Sequence, residues 1–399
     1  MKKDDEKENE DEDEDEIEKS SATGKSSAYD VKKNNTTTDV SEVKIQQLFK
    51  LMVENNASDL HITPGSSPAM RINGEIIKVK VQALSGKATR DLIYQVLSDE
   101  QKNEFEKNLE LDFSFGVKGF ARFRANVFYS KGSVAGVFRL IPTLIPDFKA
   151  LNLPSVLLSM TDVSNGLILV TGPTGSGKST TLASLLDRLN VNEAGHIITI
   201  EDPVEFVHQH KKCLVNQREV SSDTVSFNRA LKSILRQDPD IVLIGELRDL
   251  ETIEAALTIA ETGHLVFGTL HTNSCIQTIN RMINVFPPHQ HDQIRTLLSF
   301  VLQGVVSQQL IPKTFEPGRV LAVEVLVPTQ GVRNLIRENK IHQIYSQMQI
   351  GQDKTNMITM NQSLKKHVDK GLLSAESALS CSTEPDELAK ILGIKSRGL

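Results

Sequence analysis

Tryptophan is absent from this 399-residue chain, tyrosine occurs four times and cysteine three times. Cys213, Cys275 and Cys381 stand far apart, and no Cys-x-x-Cys pair occurs. That excludes a four-cysteine zinc site. An odd, sparse set of thiols also implies a reducing compartment without a disulfide framework. No apolar run reaches the ~18 residues that a membrane-spanning helix requires. The amino-terminal segment is acidic, the reverse of a secretory leader with its basic start and apolar core. A cytoplasmic location is therefore expected.

What is present is uneven. Residues 1–20 hold twelve Asp/Glu and four Lys, a charge of -8, so the rest of the chain carries -6 minus -8, or +2. Residues 1–40 are almost all charged or small polar and cannot bury enough apolar surface to offset chain entropy, so they are expected to be a disordered acidic tail. From 41 to 140 a helical repeat (Ile45, Leu48, Phe49, Met52, Val53) precedes short strand-like runs, with a second helix over about Ala88–Leu97. This predicts a small α/β domain with an antiparallel sheet. Residues 141–160, with Pro142, Pro146 and Pro154, read as a linker. Over 161–328 buried strand-like runs at Leu167–Thr171, Ile197–Ile200, Ile241–Ile244, Leu265–Leu270 and Leu321–Val327 alternate with helices, which predicts a parallel sheet covered by helices. Residues 329–399 read as helical, with a break near Gly351–Lys354.

The run Leu167–Thr171 leads directly into Gly172-Pro173-Thr174-Gly175-Ser176-Gly177-Lys178-Ser179, and a helix over Thr180–Leu189 follows. Strand, glycine loop and helix in that order are the context of a phosphate-binding P-loop. Gly172, Gly175 and Gly177 let backbone N–H groups converge on phosphate oxygens, and Thr174, Ser176 and Thr180 complete the loop and the helix start. Lys178 supplies a positive charge to the β- and γ-phosphates, and the Ser179 hydroxyl supplies a ligand to Mg²⁺.

Two carboxylates follow buried strands: Glu201 after Ile197–Ile200, and Glu246 after Ile241–Ile244. The carboxyl ends of parallel strands are where ligands bind in such sheets. Gly245 stands where many P-loop enzymes place a magnesium-binding Asp. Glu201 and Glu246 are candidates to bind the metal shell or polarise an attacking water. His271, at the exit of a third such strand, is a candidate sensor of the γ-phosphate or of Glu246. His208, His210 and Cys213 cluster in sequence, but no fourth metal ligand is near. The scarcity of aromatics and the lack of a Lys/Arg-rich run disfavour a nucleic-acid-translocating ring, so no nucleic-acid partner is expected. A non-catalytic nucleotide-gated ring subunit is the other class of alternative; intact Lys178, Ser179, Glu201 and Glu246 argue against it.

These motifs resemble the secretion and pilus motor ATPases from about residue 43 onward. Ala57-Ser58-Asp59-Leu60-His61 resembles the opening of that family's PAS-like N-terminal domain. Residues 172–180 are similar to its Walker A motif, 201–205 to its Asp box, 241–246 to its Walker B strand and 263–272 to its His box. Ala121-Arg122-Phe123-Arg124 and Phe138-Arg139 resemble its arginine-bearing strands. The resemblance implies a PAS-like α/β domain, a RecA-like P-loop ATPase core with a helical C-terminal extension, and a homo-hexamer binding ATP and Mg²⁺ between subunits. Arg122, Arg124 and Arg139 would complete the charge clamp from the first domain, with Arg218, Arg236 and Arg248 as rivals. Residues 331–338 (Gly-Val-Arg-Asn-Leu-Ile-Arg-Glu) are similar to the C-terminal motif of the type IV pilus retraction ATPases, and the missing zinc site points the same way. The implied partners are an inner-membrane pilus platform protein, which would hold the cytoplasmic ring at the membrane, and a paralogous retraction ATPase. The stretches 207–210 and 286–289 also resemble the accessory retraction ATPases. The accessory paralogue and an extension or secretion ATPase remain alternatives.

Overall fold

The computed structural model describes residues 44–72, 74–117, 120–142, 144–350 and 352–394. The expected acidic tail lies outside the described residues. The chain divides into two compact units, one comprising residues up to Gln95 with Tyr129–Ala135, the other comprising Val96–Phe128 with Gly136–Leu399.

In the first unit the predicted amphipathic helix runs Ile45–Glu54, with Ile45, Leu48, Phe49 and Met52 buried along one face. Strands β1 (Asp59–Ile62), β2 (Ala69–Ile72) and β3 (Glu75–Lys78) form an antiparallel meander, Leu60 opposite Met70 and Met70 opposite Ile77. A helix follows at Gly86–Tyr94, where the Ser85 hydroxyl accepts from the Ala88 N–H and caps its start.

The second unit opens with a helix that composition hides, Asp99–Asn108. It is almost wholly polar, burying only Phe105, and is set by a Ser98/Gln101 capping box. Strand β4 (Glu110–Val117) pairs antiparallel with β5 (Ala121–Ser130), Phe115 opposite Phe123, and β6 (Ser133–Ile141) follows.

A seven-stranded sheet positions the site. Its members are β7 (Gly166–Thr171), β8 (His196–Glu201), β9 (Leu214–Glu219), β10 (Ile241–Ile244), β11 (Leu265–Leu270), β12 (Leu302–Pro312) and β13 (Arg319–Leu326). Their order is β13-β12-β7-β11-β10-β8-β9, all parallel except β13 against β12. Strands β7 and β11 are buried along their whole length, as a sheet with both faces covered requires. The two-residue side-chain period sorts them. Leu167 and Leu169 enter a core with Val242, Ile244 and Val266, under the helices Leu250–Glu261 and Cys275–Asn284. Ile168 and Val170 enter the opposite core with Phe267 and Val306, under Leu182, Leu185, Leu186 and Leu189 of the helix Lys178–Asn192. Glu324 of β13 is buried, and it accepts from the backbone N–H of Cys275 (2.7 Å) and of Met360 (3.4 Å). One carboxylate thereby satisfies buried donors at two helix starts that have no partner within their own helices. The C-terminal part is helical as predicted, and a short helix at Gln352–Thr355 stands where a break was expected.

Candidate active site

The glycine loop is a backbone device. Gly172, Gly175 and Gly177 have φ of 140°, 79° and 89°, a left-handed region that residues with a Cβ rarely adopt. At Gly172 there is also no room: a Cβ would sit 2.2 Å from the Gln308 carbonyl oxygen. Lys178 opens the helix, and its Nζ donates to the carbonyls of Gly172 (2.8 Å) and Pro173 (3.1 Å). The ammonium therefore lies across the loop. Burial lowers its pKa, against the opposing pull of Glu246 and Glu205. An arriving phosphate offers the ammonium stronger, charged acceptors than these carbonyls.

The parallel register brings the carboxyl ends of β7, β8, β10 and β11 to one edge, with Thr171 beside Leu270 and Ile244 beside Ile200 and Gly268. There a cleft of about 460 Å³ opens. Thr174, Gly175, Gly177, Lys178, Ser179 and Thr180 line one wall, and Glu201, Glu246 and His271 face it from the other strands. Gly172 and Ser176 are not among the lining residues; Ser176 is buried behind the loop.

Glu201 is buried, and one of its oxygens accepts from Thr199 Oγ1 (2.6 Å) and Gln217 Nε2 (3.1 Å). Burial raises its pKa, with the two hydrogen bonds opposing. Gly245 has a steric cause. A Cβ there would lie 3.2 Å from both Glu201 Cα and the Ile200 carbonyl oxygen, so an Asp at this position would press on the β8 backbone, which would have to give by a few tenths of an ångström. Glu246 takes over that edge, one oxygen 2.8 Å from Arg248 Nη2 and the other 3.3 Å from His271 Nε2. Burial pushes its pKa up, but Arg248 and His271 outweigh that, so its carboxyl lies below the usual range and is ionised at neutral pH. The Thr269 hydroxyl donates to the Gly245 carbonyl (2.5 Å) and Leu247 N–H donates to the Thr269 carbonyl (2.9 Å), which ties the Glu246 segment to β11.

The type II/IV secretion system protein family matches residues 34–380. The chain belongs to this family. It is 50% identical over 342 residues to the type IV pilus retraction ATPase PilT of Pseudomonas aeruginosa, spanning 86% of this chain and 99% of that protein. To the type IV pilus ATPase PilU of the same organism it is 39% identical, over 89% of this chain and 92% of the relative. A crystal structure of the pilus retraction motor PilT with bound ADP superposes with a TM-score of 0.82 at 52% identity, covering 88% of this chain and all of that one. The fold is that of a secretion ATPase, a mixed α/β chain with an N-terminal domain and a C-terminal ATPase domain.

Within this secretion ATPase, the arginines stand apart from the carboxylates. Arg122 Nη2 pairs with the buried Glu219 at 3.1 Å, and Arg124 and Arg139 are exposed; none of the three lines the cleft. Of the rivals, Arg248 is in the cleft on Glu246. Arg218 and Arg236 line a separate pocket of about 450 Å³ with Arg229 and Lys232. The His208, His210 and Cys213 side chains are spent separately. His208 lines the cleft, its pKa lowered to about 4 by burial. His210 Nδ1 accepts from Val215 N–H (3.0 Å), and the Cys213 thiol donates to the Glu193 carbonyl (3.2 Å). Sequence reasoning missed Thr199 and Gln217, which hold the Glu201 carboxylate, Thr269, which holds the Gly245 carbonyl, and also Phe206, Phe227, Leu310 and Arg319 on the cleft wall. Thr199 carried a signal, a polar residue inside an apolar strand two positions before a carboxylate; Gln217 carried none.

The donor set suits magnesium. Ser179, Glu201 and Glu246 offer oxygen donors along one cleft, and Mg²⁺ typically combines one or two carboxylates with substrate phosphates. Among the described residues no group of three or more His, Cys, Asp or Glu could hold a metal by itself. The phosphates would thus be part of the ion's shell.

Proposed function

We propose that this chain hydrolyses ATP with Mg²⁺ as a subunit of a homo-hexameric motor that retracts type IV pili. The observation that carries the chemistry is Glu246, held ionised between Arg248 and His271 across the cleft from Lys178 and the glycine loop. Retraction rather than another secretion task is supported by the identity to PilT over nearly the whole of that protein. The lower identity to PilU favours the motor over the accessory paralogue.

In this reading the loop N–H groups and Lys178 hold the phosphates, and Lys178 exchanges its two carbonyl partners for them. Bound magnesium would neutralise charge on the phosphates, with Ser179 and the carboxylates at its edge. Glu246 orients and polarises the attacking water while His271 and Arg248 fix its two oxygens. Phosphoryl transfer demands positioning and charge neutralisation more than covalent work, so further positive charge, beside Lys178, Arg248 and Arg319 of the cleft, would strengthen the clamp. Arg122, Arg124 and Arg139 are proposed to supply it across a subunit interface, since heterologous interfaces that close into a ring give every site a neighbour. The division into 41–140, a 141–160 linker, 161–328 and 329–399, the pilus platform partner and the location at the inner membrane belong to the same proposal. Among the described residues no helix is long and apolar enough to cross a membrane.

The test is phosphate release by the purified protein, with Lys178→Ala expected to lower it at least ~100-fold. Full activity in that variant would sink the site assignment. Loss of the gene should leave cells with excess, non-retracting pili; sparse pili would indicate an extension motor instead.

A further inference from the structure

Gln308 belongs to β12, the strand hydrogen-bonded to β7 on the side away from β11. In the parallel register Ser307 lies beside Thr171, the last residue of β7. Gln308 is therefore the first β12 residue beyond the end of that strand, under the glycine loop. It is completely buried. Its backbone carbonyl excludes any side chain at Gly172, and its amide nitrogen would lie 3.3 Å from a Cβ at Gly177. That nitrogen donates to the Ser176 carbonyl at 2.8 Å. Among the described residues the amide oxygen of Gln308 has no hydrogen-bond partner, and neither has the Ser176 hydroxyl.

A fully buried amide with an orphan oxygen carries a desolvation cost that an apolar residue of the same size would not. The one bond it makes goes to the loop backbone. Peptide planarity then has a consequence: in a trans peptide the C=O and the following N–H point in opposite directions. With the Ser176 carbonyl held down toward Gln308, the Gly177 N–H is turned up, toward the side where phosphate binds. Gly177 lines the cleft and Gln308 does not.

We infer that Gln308 is a positioning residue: its side-chain amide fixes the Ser176–Gly177 peptide so that the Gly177 N–H is pre-aimed at the nucleotide phosphates. It acts through the loop and touches no substrate. The inference rests on the nucleotide-site reading above, and wild-type binding of ADP tests that reading by itself. The ratio of variant to wild type tests Gln308.

Two substitutions separate position from packing. Gln308→Met keeps the length and loses the donor. Gln308→Glu keeps size and shape but donates only when protonated, which burial favours as the pH falls. The expected result for Gln308→Met is Mg-ADP binding weakened ~10-fold, with KM for ATP raised similarly and kcat at saturation changed less than ~3-fold, the pattern of lost uniform binding. For Gln308→Glu, the ratio of its dissociation constant to that of wild type should fall toward one as pH is lowered. Wild-type ADP affinity in a folded Gln308→Met protein would overturn the inference. So would a Gln308→Glu ratio that does not move with pH, and this second measurement decides the matter if the Met variant does not fold.

Discussion

The nucleotide cleft and the helix Gln330–Arg337 both carry motifs visible in the sequence, but they use their charges in opposite ways. In the cleft, Glu201, Glu246 and His271 arrive from three different strands, and each held group still faces the cavity. On the helix, Val332 and Ile336 bury one face, and Arg333 turns back on the structure. Arg333 Nη1 donates to the carbonyls of Ser299 (2.6 Å) and Phe300 (3.0 Å), and Nη2 donates to Gln303 Oε1 (3.2 Å). It satisfies the last carbonyls of the helix His291–Val301, where a positive charge is also favoured by the helix dipole. Arg337, one turn on, lies 5.7 Å from the centroid of the Phe300 ring, and that ring is 61% exposed. Two arginines in one motif thus do different things. A strand end presents its residue to a cleft; a helix packed on another helix spends the inward-turning residue on the packing.

That contrast can be broken most sharply at Glu246. Glu246→Gln keeps the shape and removes the charge, so hydrolysis should fall ~100-fold or more while ADP binding is retained. Phosphate release and nucleotide titration check the two arms; unchanged release would mean that Glu246 is a strand-end charge with no part in hydrolysis. The next effect is smaller. Arg333→Ala should destabilise the fold by roughly 1–2 kcal/mol, through the two carbonyls left without a donor. Arg337→Ala should leave the melting temperature nearly unchanged and slow only pilus retraction. Equal destabilisation by both would erase the distinction drawn between them.

The smallest effect on stability concerns Glu201. Its folded-state pKa is raised, mainly by burial, so the native state favours the protonated form. Its contribution to stability is therefore fully present below the ordinary carboxylate range and is lost as pH rises through the folded pKa. Glu201→Gln should slightly raise the melting temperature at neutral pH, and the gain should vanish as the pH falls into that range. Activity should be lost at the same time. A melting temperature lowered at neutral pH would show that the charged form is the stabilised one.

Much of the cleft was legible because its signals are local. Gly172–Ser179 announces backbone conformations that only glycine enters freely, and apolar runs ending in Glu201 and Glu246 announce buried parallel strands with charged ends. Strand β12 was not legible. Gly304, Ser307, Gln308 and Gln309 interrupt its apolar pattern, and the reason for Ser307 and Gln308 lies outside the strand, in the loop they underlie. The helix Asp99–Asn108 was missed for a related reason: only Phe105 faces inward, so no apolar stripe exists, although the Ser98 cap and Gln101 were there to read.

The sequence by itself determined the phosphate-binding loop, the alternation that builds the parallel sheet, and the carboxylates at its strand ends. All three follow from residue type and spacing along one segment. Only the tertiary structure decided that Gly245 packs tightly against the end of β8, that Arg248 and His271 hold Glu246 ionised, that Arg122 is paired with Glu219, and that Gln308 underlies the glycine loop. Each of these joins residues from separate parts of the fold, and a pattern read along the chain carries no distance between segments that meet only when the sheet closes.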